Sequence, residues 1–161
     1  MDIGAQYGPL RTEIDEAIAH VLDTGRFILG PEVAALESEV SDRMGGRPCV
    51  GVANGTDALV IALNALDIGP GDEVITTPYT FFATAEAIAR LGATPVFCDI
   101  REDDFCLDPA AIDARITPRT KAILPVHIFG HPADMDAICE VARAHDLPVI
   151  EDSAQAFGAT I

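Results

Sequence analysis

The chain has 161 residues, 49% of them hydrophobic and 22% charged, and its formal net charge is −16. This length and apolar content suffice for a folded core and exclude a disordered chain. The acidic balance argues against a nucleic-acid or anionic-membrane surface, since both require a basic footprint. No apolar run reaches the roughly 18 residues of a spanning helix, and no secretory signal is visible at the N-terminus.

Helical spacing governs the first part of the chain. Apolar residues recur at that spacing over residues 9–23, and Gly25 ends this helix. The loop GRFILG follows, and Pro31 begins a second helix that ends at the glycine pair 45–46.

Short apolar strands alternate with helices from residue 48 onward. This alternation predicts an α/β fold, with a mostly parallel sheet covered by helices on both faces. The predicted strands are residues 48–53, 73–77, 95–98, 122–126 and 148–151, and the predicted helices are residues 56–66, 81–91, 109–115 and 135–145. Ligands of such sheets bind at the carboxyl ends of the strands, so the residues after each strand are the functional candidates.

The segment Asn54–Gly55–Thr56 joins the first predicted strand to a helix. Free backbone N–H groups and the helix dipole favour an anion there, and Gly55 and Thr56 suit a phosphate. The alternative is an ordinary Asn cap with a glycine turn. After the second strand come Tyr79, Phe81 and Phe82, where one ring could stack on a flat ligand. We expect at least two of these three rings to lie in the core.

Asp152 and Gln155 follow the last predicted strand. A carboxylate at the end of a buried strand is costly unless a cation or a strong donor meets it. One interpretation is a partner at a helix terminus or an arginine. The other is that Asp152 holds a protonated ring nitrogen of a ligand while Gln155 reaches a ring oxygen. His127 and His131 follow the fourth strand without the partners that a metal needs, so we interpret them as structural and expect no metal.

An anion site, an aromatic platform and a buried carboxylate together suit a flat, phosphorylated, protonated heterocycle, which describes pyridoxal 5′-phosphate. The segments ANGTDAL, TPYTFFATAEAIARLGATPVFCDI, ITPRTKAILPVHIFGHPADMD and PVIEDSAQAFGA resemble the DegT/StrS family of sugar aminotransferases, which are fold type I pyridoxal-phosphate enzymes. The resemblance extends from about Gly25 to the last residue. The GRFILGP loop resembles the family segment near the substrate entrance.

The resemblance implies a role for five residues. Those that match Gly55 and Thr56 bind the cofactor phosphate, and the one that matches Phe81 stacks on the pyridine ring. The residue that matches Asp152 pairs with the ring nitrogen and makes the ring an electron sink, and the one that matches Gln155 lies by the phenolic oxygen.

The Schiff-base lysine of this family lies beyond its acidic motif, past the end of this chain. The one lysine here, Lys121, begins a strand and so lies at the wrong end of the sheet. We therefore expect residues 1–161 to be the N-terminal part of the cofactor-binding large domain. Residues 1–30 would form the N-terminal helix and substrate-side loop, and residues 31–161 the alternating core, with no domain boundary between them. By itself this piece should not transaminate and should fold poorly.

The resemblance implies that the complete protein transfers an amino group, with glutamate as the usual donor, to a nucleotide-linked keto-sugar. Two alternatives stay open within the family: a sugar dehydratase, and a regulatory relative that binds without turnover. A flavodoxin-like binding module is a third. The charge of −16 would repel a sugar nucleotide, so basic groups must come from elsewhere, which favours a homodimer.

Four dispersed cysteines predict a reduced, cytoplasmic protein without zinc or disulfides: Cys49, Cys98, Cys106 and Cys139.

Overall fold

The computed structural model describes residues 2–160, which form two compact units. The first unit ends at Gly51 and the second begins at Val52. The sequence did not indicate this division. That the chain is part of a larger cofactor-binding domain stays a prediction.

The first unit contains two helices, α1 (Ile3–Thr24) and α2 (Pro31–Arg43). Asp2 caps α1 because its carboxylate accepts a 3.0 Å hydrogen bond from the Ala5 N–H. Gly25 ends the helix in the left-handed conformation, with φ of 65°. Both helices were predicted from their apolar spacing, although α1 begins six residues earlier than expected and includes Pro9.

The predicted strand at residues 48–53 does not form. Val50 is 75% exposed, and the Gly51 N–H donates to the carboxylate of Glu37 at 2.7 Å. A strand requires hydrogen bonds from a neighbouring strand, and no segment among residues 2–160 pairs with this one. Its apolar composition was therefore insufficient to make it a strand.

The second unit is the predicted α/β core. Its elements in chain order are α3 (Gly55–Asn64), β1 (Glu73–Thr76), α4 (Phe82–Arg90), β2 (Thr94–Phe97), β3 (Thr120–Leu124) and α5 (Met135–Ala144). The sheet has the order β2-β1-β3, and both pairings are parallel. The predicted helix at residues 109–115 is instead two short 3₁₀ turns, at Pro109–Ala111 and Asp113–Arg115.

The fifth predicted strand is a bridged segment rather than a full strand. Val149 pairs with Ile123, and Asp152 pairs with Val126, both in the parallel sense. The segment therefore extends the sheet next to β3 and delivers Asp152 to the carboxyl edge.

One apolar core holds the second unit together. All four residues of β1 are buried, as expected for a parallel strand that is covered on both faces. The largest completely buried side chains come from helices and strands alike, and include those of Leu63, Ile75, Ile88, Ile123 and Ile138. Within residues 2–160, no helix combines the length and apolarity that crossing a bilayer would require.

Candidate functional site

Asp152 is held at the carboxyl edge of the sheet by its backbone. Its N–H donates to the carbonyl of Pro125 at 2.9 Å, and its carbonyl accepts from the N–H of His127 at 3.1 Å. The residue is 8% exposed, so the side chain lies mostly out of water. The backbone thus fixes where the carboxylate emerges.

Among the described residues, the Asp152 carboxylate accepts hydrogen bonds from a hydroxyl and a backbone amide, and meets no cation. Its Oδ2 accepts a 2.8 Å hydrogen bond from the Thr84 hydroxyl, and Oδ1 accepts a 3.3 Å bond from the Ala154 N–H. No lysine, arginine or histidine within residues 2–160 lies at ion-pair distance from it. The arginine-partner interpretation is therefore wrong for the described chain. A buried carboxylate with spare acceptor capacity is suited to a cationic ligand.

Gln155 lies at the same edge. Its side-chain Oε1 accepts a 2.8 Å hydrogen bond from the N–H of Phe129, which adopts a left-handed conformation with φ of 56°. The ring of Phe129 meets that of Tyr79 edge-on at 6.1 Å, and Tyr79 in turn lies 5.9 Å from the ring of Phe105. Gln155 thus borders an aromatic cluster made of Tyr79, Phe105 and Phe129.

The aromatic residues after β1 are exposed, so the expectation that at least two of them lie in the core is wrong. Tyr79 is 44% exposed, Phe81 74% and Phe82 73%. These residues lie between the end of β1 and the start of α4, and no described element encloses their rings. Phe81 is the N-cap residue of α4, three positions before Thr84, and so it belongs to the helix end that contacts Asp152.

Gly55 and Thr56 occupy the N-terminus of α3. Asn54 caps this helix, because its side chain accepts a 2.9 Å bond from the Asp57 N–H. Among the described residues, the Gly55 and Thr56 N–H groups and the Thr56 hydroxyl have no hydrogen-bond acceptor. A Cβ built on Gly55 would meet nothing within 4 Å. The cap and the anion interpretation are thus compatible, because the cap uses the next N–H along the chain.

The helices α3 and α4 pack together, and Arg90 reaches Asp57 at 3.8 Å. The structure therefore places Asp152, Gln155 and the start of α4 at one edge, with Gly55 and Thr56 on the neighbouring helix. Within residues 2–160, no direct hydrogen bond joins those two residues to Asp152.

His127 uses both ring nitrogens inside the protein, which agrees with a structural role. Its Nδ1 accepts a 3.0 Å bond from the Ala133 N–H, so the proton lies on Nε2, which is 2.9 Å from the Glu151 carboxylate. His131 is exposed. Lys121 is an exposed residue in the amino-terminal part of β3, at the opposite end from the bridge of Asp152.

Sequence reasoning missed Thr80 and Thr84. Thr84 is completely buried and donates a hydrogen bond to Asp152. The Thr80 hydroxyl lies 2.8 Å from the Thr84 hydroxyl. Thr80 lies in the bend before Phe81, the N-cap of α4, so helical spacing alone does not indicate that the two hydroxyls meet. Their acceptor is 68 residues further along the chain, and no local pattern indicates it.

Comparison with solved structures first defines the fold class of the chain. DesV of S. venezuelae, solved in complex with a ketimine intermediate, superposes with a TM-score of 0.94 and 51% identity over 98% of this chain and 42% of its own. NtdA from Bacillus subtilis, with bound cofactor PMP, superposes with a TM-score of 0.90 and 41% identity, and the match covers 92% of this chain and 34% of NtdA. The structural neighbours are fold type I pyridoxal-phosphate aminotransferases, and the predicted fold class is confirmed.

The family follows from the sequence comparison. The model of the DegT/DnrJ/EryC1/StrS aminotransferase family matches residues 9–161, and the chain belongs to this family. The UDP-N-acetyl-3-dehydro-alpha-D-glucosamine 3-aminotransferase of Acidithiobacillus ferrooxidans is 54% identical over the whole chain. The chain spans 44% of the length of that relative.

Proposed function

We propose that the complete protein is a pyridoxal-phosphate-dependent aminotransferase that transfers an amino group from an amino acid, glutamate in the first instance, to a nucleotide-linked keto-sugar. The observation that carries this proposal is the buried Asp152 carboxylate, which no cation meets among residues 2–160. Family membership and the PMP and ketimine complexes of the structural neighbours support it.

The residues present fit the cofactor. Bound pyridoxal phosphate supplies an electron sink, which depends on a protonated ring nitrogen. Asp152 would hold that proton, because a carboxylate in a poorly solvated site stabilises a cationic N–H strongly. Gly55 and Thr56 would bind the phosphate through two N–H groups and a hydroxyl that have no other acceptor in the described chain. Phe81, exposed at the start of α4, would stack on the ring.

Gln155 would lie by the phenolic oxygen of the cofactor. Its Oε1 is already engaged by the Phe129 N–H, which leaves the amide NH₂ as the free donor. A donor is the group that an anionic phenolic oxygen requires. The bond to Phe129 thus selects the orientation of the amide that suits this role.

The substrate proposal rests on the relatives. The Acidithiobacillus enzyme is named for a UDP-linked 3-dehydro sugar, which supports amination at C3. The present chain carries 26 acidic and 10 basic residues, so the positive charge for a nucleotide diphosphate must come from elsewhere. We propose that a second copy of the protein supplies it in a homodimer. Sedimentation of the active protein as a monomer would contradict this.

The test uses the complete gene product. We expect it to bind added pyridoxal phosphate with a visible absorbance change, and to convert a UDP-linked 3-keto-sugar to its amine with glutamate. Asp152→Asn is the informative variant, and Asp113→Asn is the matched control because that carboxylate is 71% exposed and contacts His145. Cofactor binding without amine formation, in the presence of several keto-sugars and donors, would favour the regulatory relative. Loss of water from the sugar would favour the dehydratase.

A cytoplasmic location stays a prediction, supported by the four free thiols of the described chain.

A further inference from the structure

The hydroxyls of the buried Thr84 and the partly buried Thr80 form a directed chain that ends on Asp152. Thr84 Oγ1 lies 2.8 Å from Asp152 Oδ2 and 2.8 Å from Thr80 Oγ1. A hydroxyl has one proton to donate, and an ionised carboxylate can only accept. Thr84 therefore donates to Asp152 and accepts from Thr80. Each bond in such a chain polarises the next, so the bond to Asp152 is strengthened.

The destination of the Thr84 hydroxyl is unusual for a helical threonine. In a helix, threonine hydroxyls commonly bond the carbonyl one turn earlier. Thr76, an equally buried threonine in β1, also uses a carbonyl, since its hydroxyl donates to Leu124 at 2.8 Å. Thr84 instead reaches a side chain 68 residues away. Burial alone does not require this partner, because a backbone acceptor satisfies a hydroxyl equally well.

The contact leaves the two carboxylate oxygens in different states. Oδ2 accepts from the Thr84 hydroxyl, whereas Oδ1 has only the longer 3.3 Å contact with the Ala154 N–H. Each oxygen accepts one bond from the described residues and keeps a free acceptor site, and Oδ1 is the less tightly held of the two. A fixed carboxylate presents that oxygen in one direction, while a carboxylate free to rotate would not.

We infer that Thr84, supported by Thr80, is a positioning residue that orients the Asp152 carboxylate and presents Oδ1 to the cationic ring N–H of pyridoxal phosphate. This inference rests on the proposed function. Thr84 acts through Asp152 and touches no reacting atom. Its removal should weaken the hold on the ring proton without removing the carboxylate.

The experiment compares threonine variants of the complete gene product. Pyridoxal phosphate labelled with nitrogen-15 in its ring is titrated into the wild type, Thr84→Val, Thr84→Ser, Thr80→Val, Thr76→Val and Asp152→Asn. Affinity comes from the absorbance titration, and the protonation of the ring comes from the nitrogen-15 chemical shift. Thermal melting of each cofactor-free variant separates folding from binding.

Thr84→Val should weaken pyridoxal phosphate about tenfold, the loss of one hydrogen bond to a charged group. It should also move the ring nitrogen signal toward that of the unprotonated form. Thr84→Ser keeps the hydroxyl and should restore both properties. Thr80→Val should produce a smaller change in the same direction, about threefold. Thr76→Val is the matched control: it loses an equally short buried bond and should alter melting but not the ring signal.

The outcomes separate the two hypotheses. If the wild type binds no pyridoxal phosphate, the proposed function fails. If the wild type binds it and Asp152→Asn shifts the ring signal while Thr84→Val and Thr80→Val do not, the positioning inference is overturned and the proposed function stands. Should Thr84→Val fail to fold, Thr80→Val decides, because Thr80 is only partly buried. An unchanged ring signal in that variant would then contradict the inference.

Discussion

Two buried carboxylates lie at opposite ends of the same sheet and have different hydrogen-bond and charge partners. At the amino end, Glu73 begins β1 and is met by the guanidinium of Arg119 and the hydroxyl of Thr117. At the carboxyl end, Asp152 is met by the Thr84 hydroxyl and a backbone N–H, and by no cation among residues 2–160. The charge of Glu73 is neutralised by Arg119 of the same chain, whereas the carboxylate of Asp152 can still accept a cationic ligand. We propose that this difference separates a structural carboxylate from one that binds a ligand.

The largest expected effect separates these two roles directly. Asp152→Asn in the complete protein should reduce amine formation by about a hundredfold or more, because a neutral amide cannot hold the ring proton. Glu73→Gln should leave turnover of the folded protein near that of the wild type. Steady-state rates at saturating cofactor check both. Near-normal turnover in Asp152→Asn would show that Asp152, like Glu73, is not required for the reaction.

The proposed phosphate site at the N-terminus of α3 provides the next test. Thr56→Ala should weaken pyridoxal phosphate binding by about 1.5–3 kcal/mol, the loss of a hydrogen bond to a charged group. Thr117→Val is the control, since it removes a hydroxyl from Glu73 at the other edge of the sheet. An absorbance titration of both variants measures the effect. Equal affinities would show that the N-terminus of α3 does not bind the phosphate.

Acid stability tests the structural side of the comparison. The Thr117 hydroxyl, and then the Arg119 guanidinium, hold the pKa of Glu73 below its usual range. Because the pKa is lower in the folded state, this interaction stabilises the fold above the ordinary glutamate pKa of about 4.3 and is lost as the pH falls through the lowered value.

Glu73→Gln should therefore melt a few degrees below the wild type near neutral pH. The two melting curves should converge as the pH falls below about 4. Thermal melts from pH 7 to pH 3 give the comparison. A difference that persisted at the lowest pH would show that Glu73 stabilises the fold by packing rather than by charge.

The smallest expected effect concerns the loop that holds Gln155. Gly130 has φ of 84°, and a Cβ there would lie 3.1 Å from the Gln155 carbonyl oxygen. Gly130→Ala should cost about 1–2 kcal/mol of stability through backbone strain. Gly25→Ala, with φ of 65° and open space around it, is the control for strain without contact. Cofactor affinity should change only in Gly130→Ala, and equal affinities would argue against a role for Gln155.

The α/β class, the parallel sheet and most helices were predictable because they depend on local periodicity. The predicted strand at residues 48–53 was wrong because a strand exists only through a neighbour, and composition does not reveal whether one is present. The burial expected for the rings after β1 was wrong for a related reason. Apolar side chains such as that of Phe81 are buried only where another element covers them, and the end of a strand lies outside that cover.

The sequence by itself determined the family resemblance, and through it the five candidate residues Gly55, Thr56, Phe81, Asp152 and Gln155. Only the tertiary structure decided which of the two buried carboxylates meets no cation among residues 2–160, and which hydroxyl donates to it. Those facts depend on contacts such as Thr84 with Asp152 and Arg119 with Glu73, which join residues 68 and 46 positions apart. Local patterns describe the surroundings of a residue along the chain. The charge that a buried group meets is set by residues that the fold brings beside it.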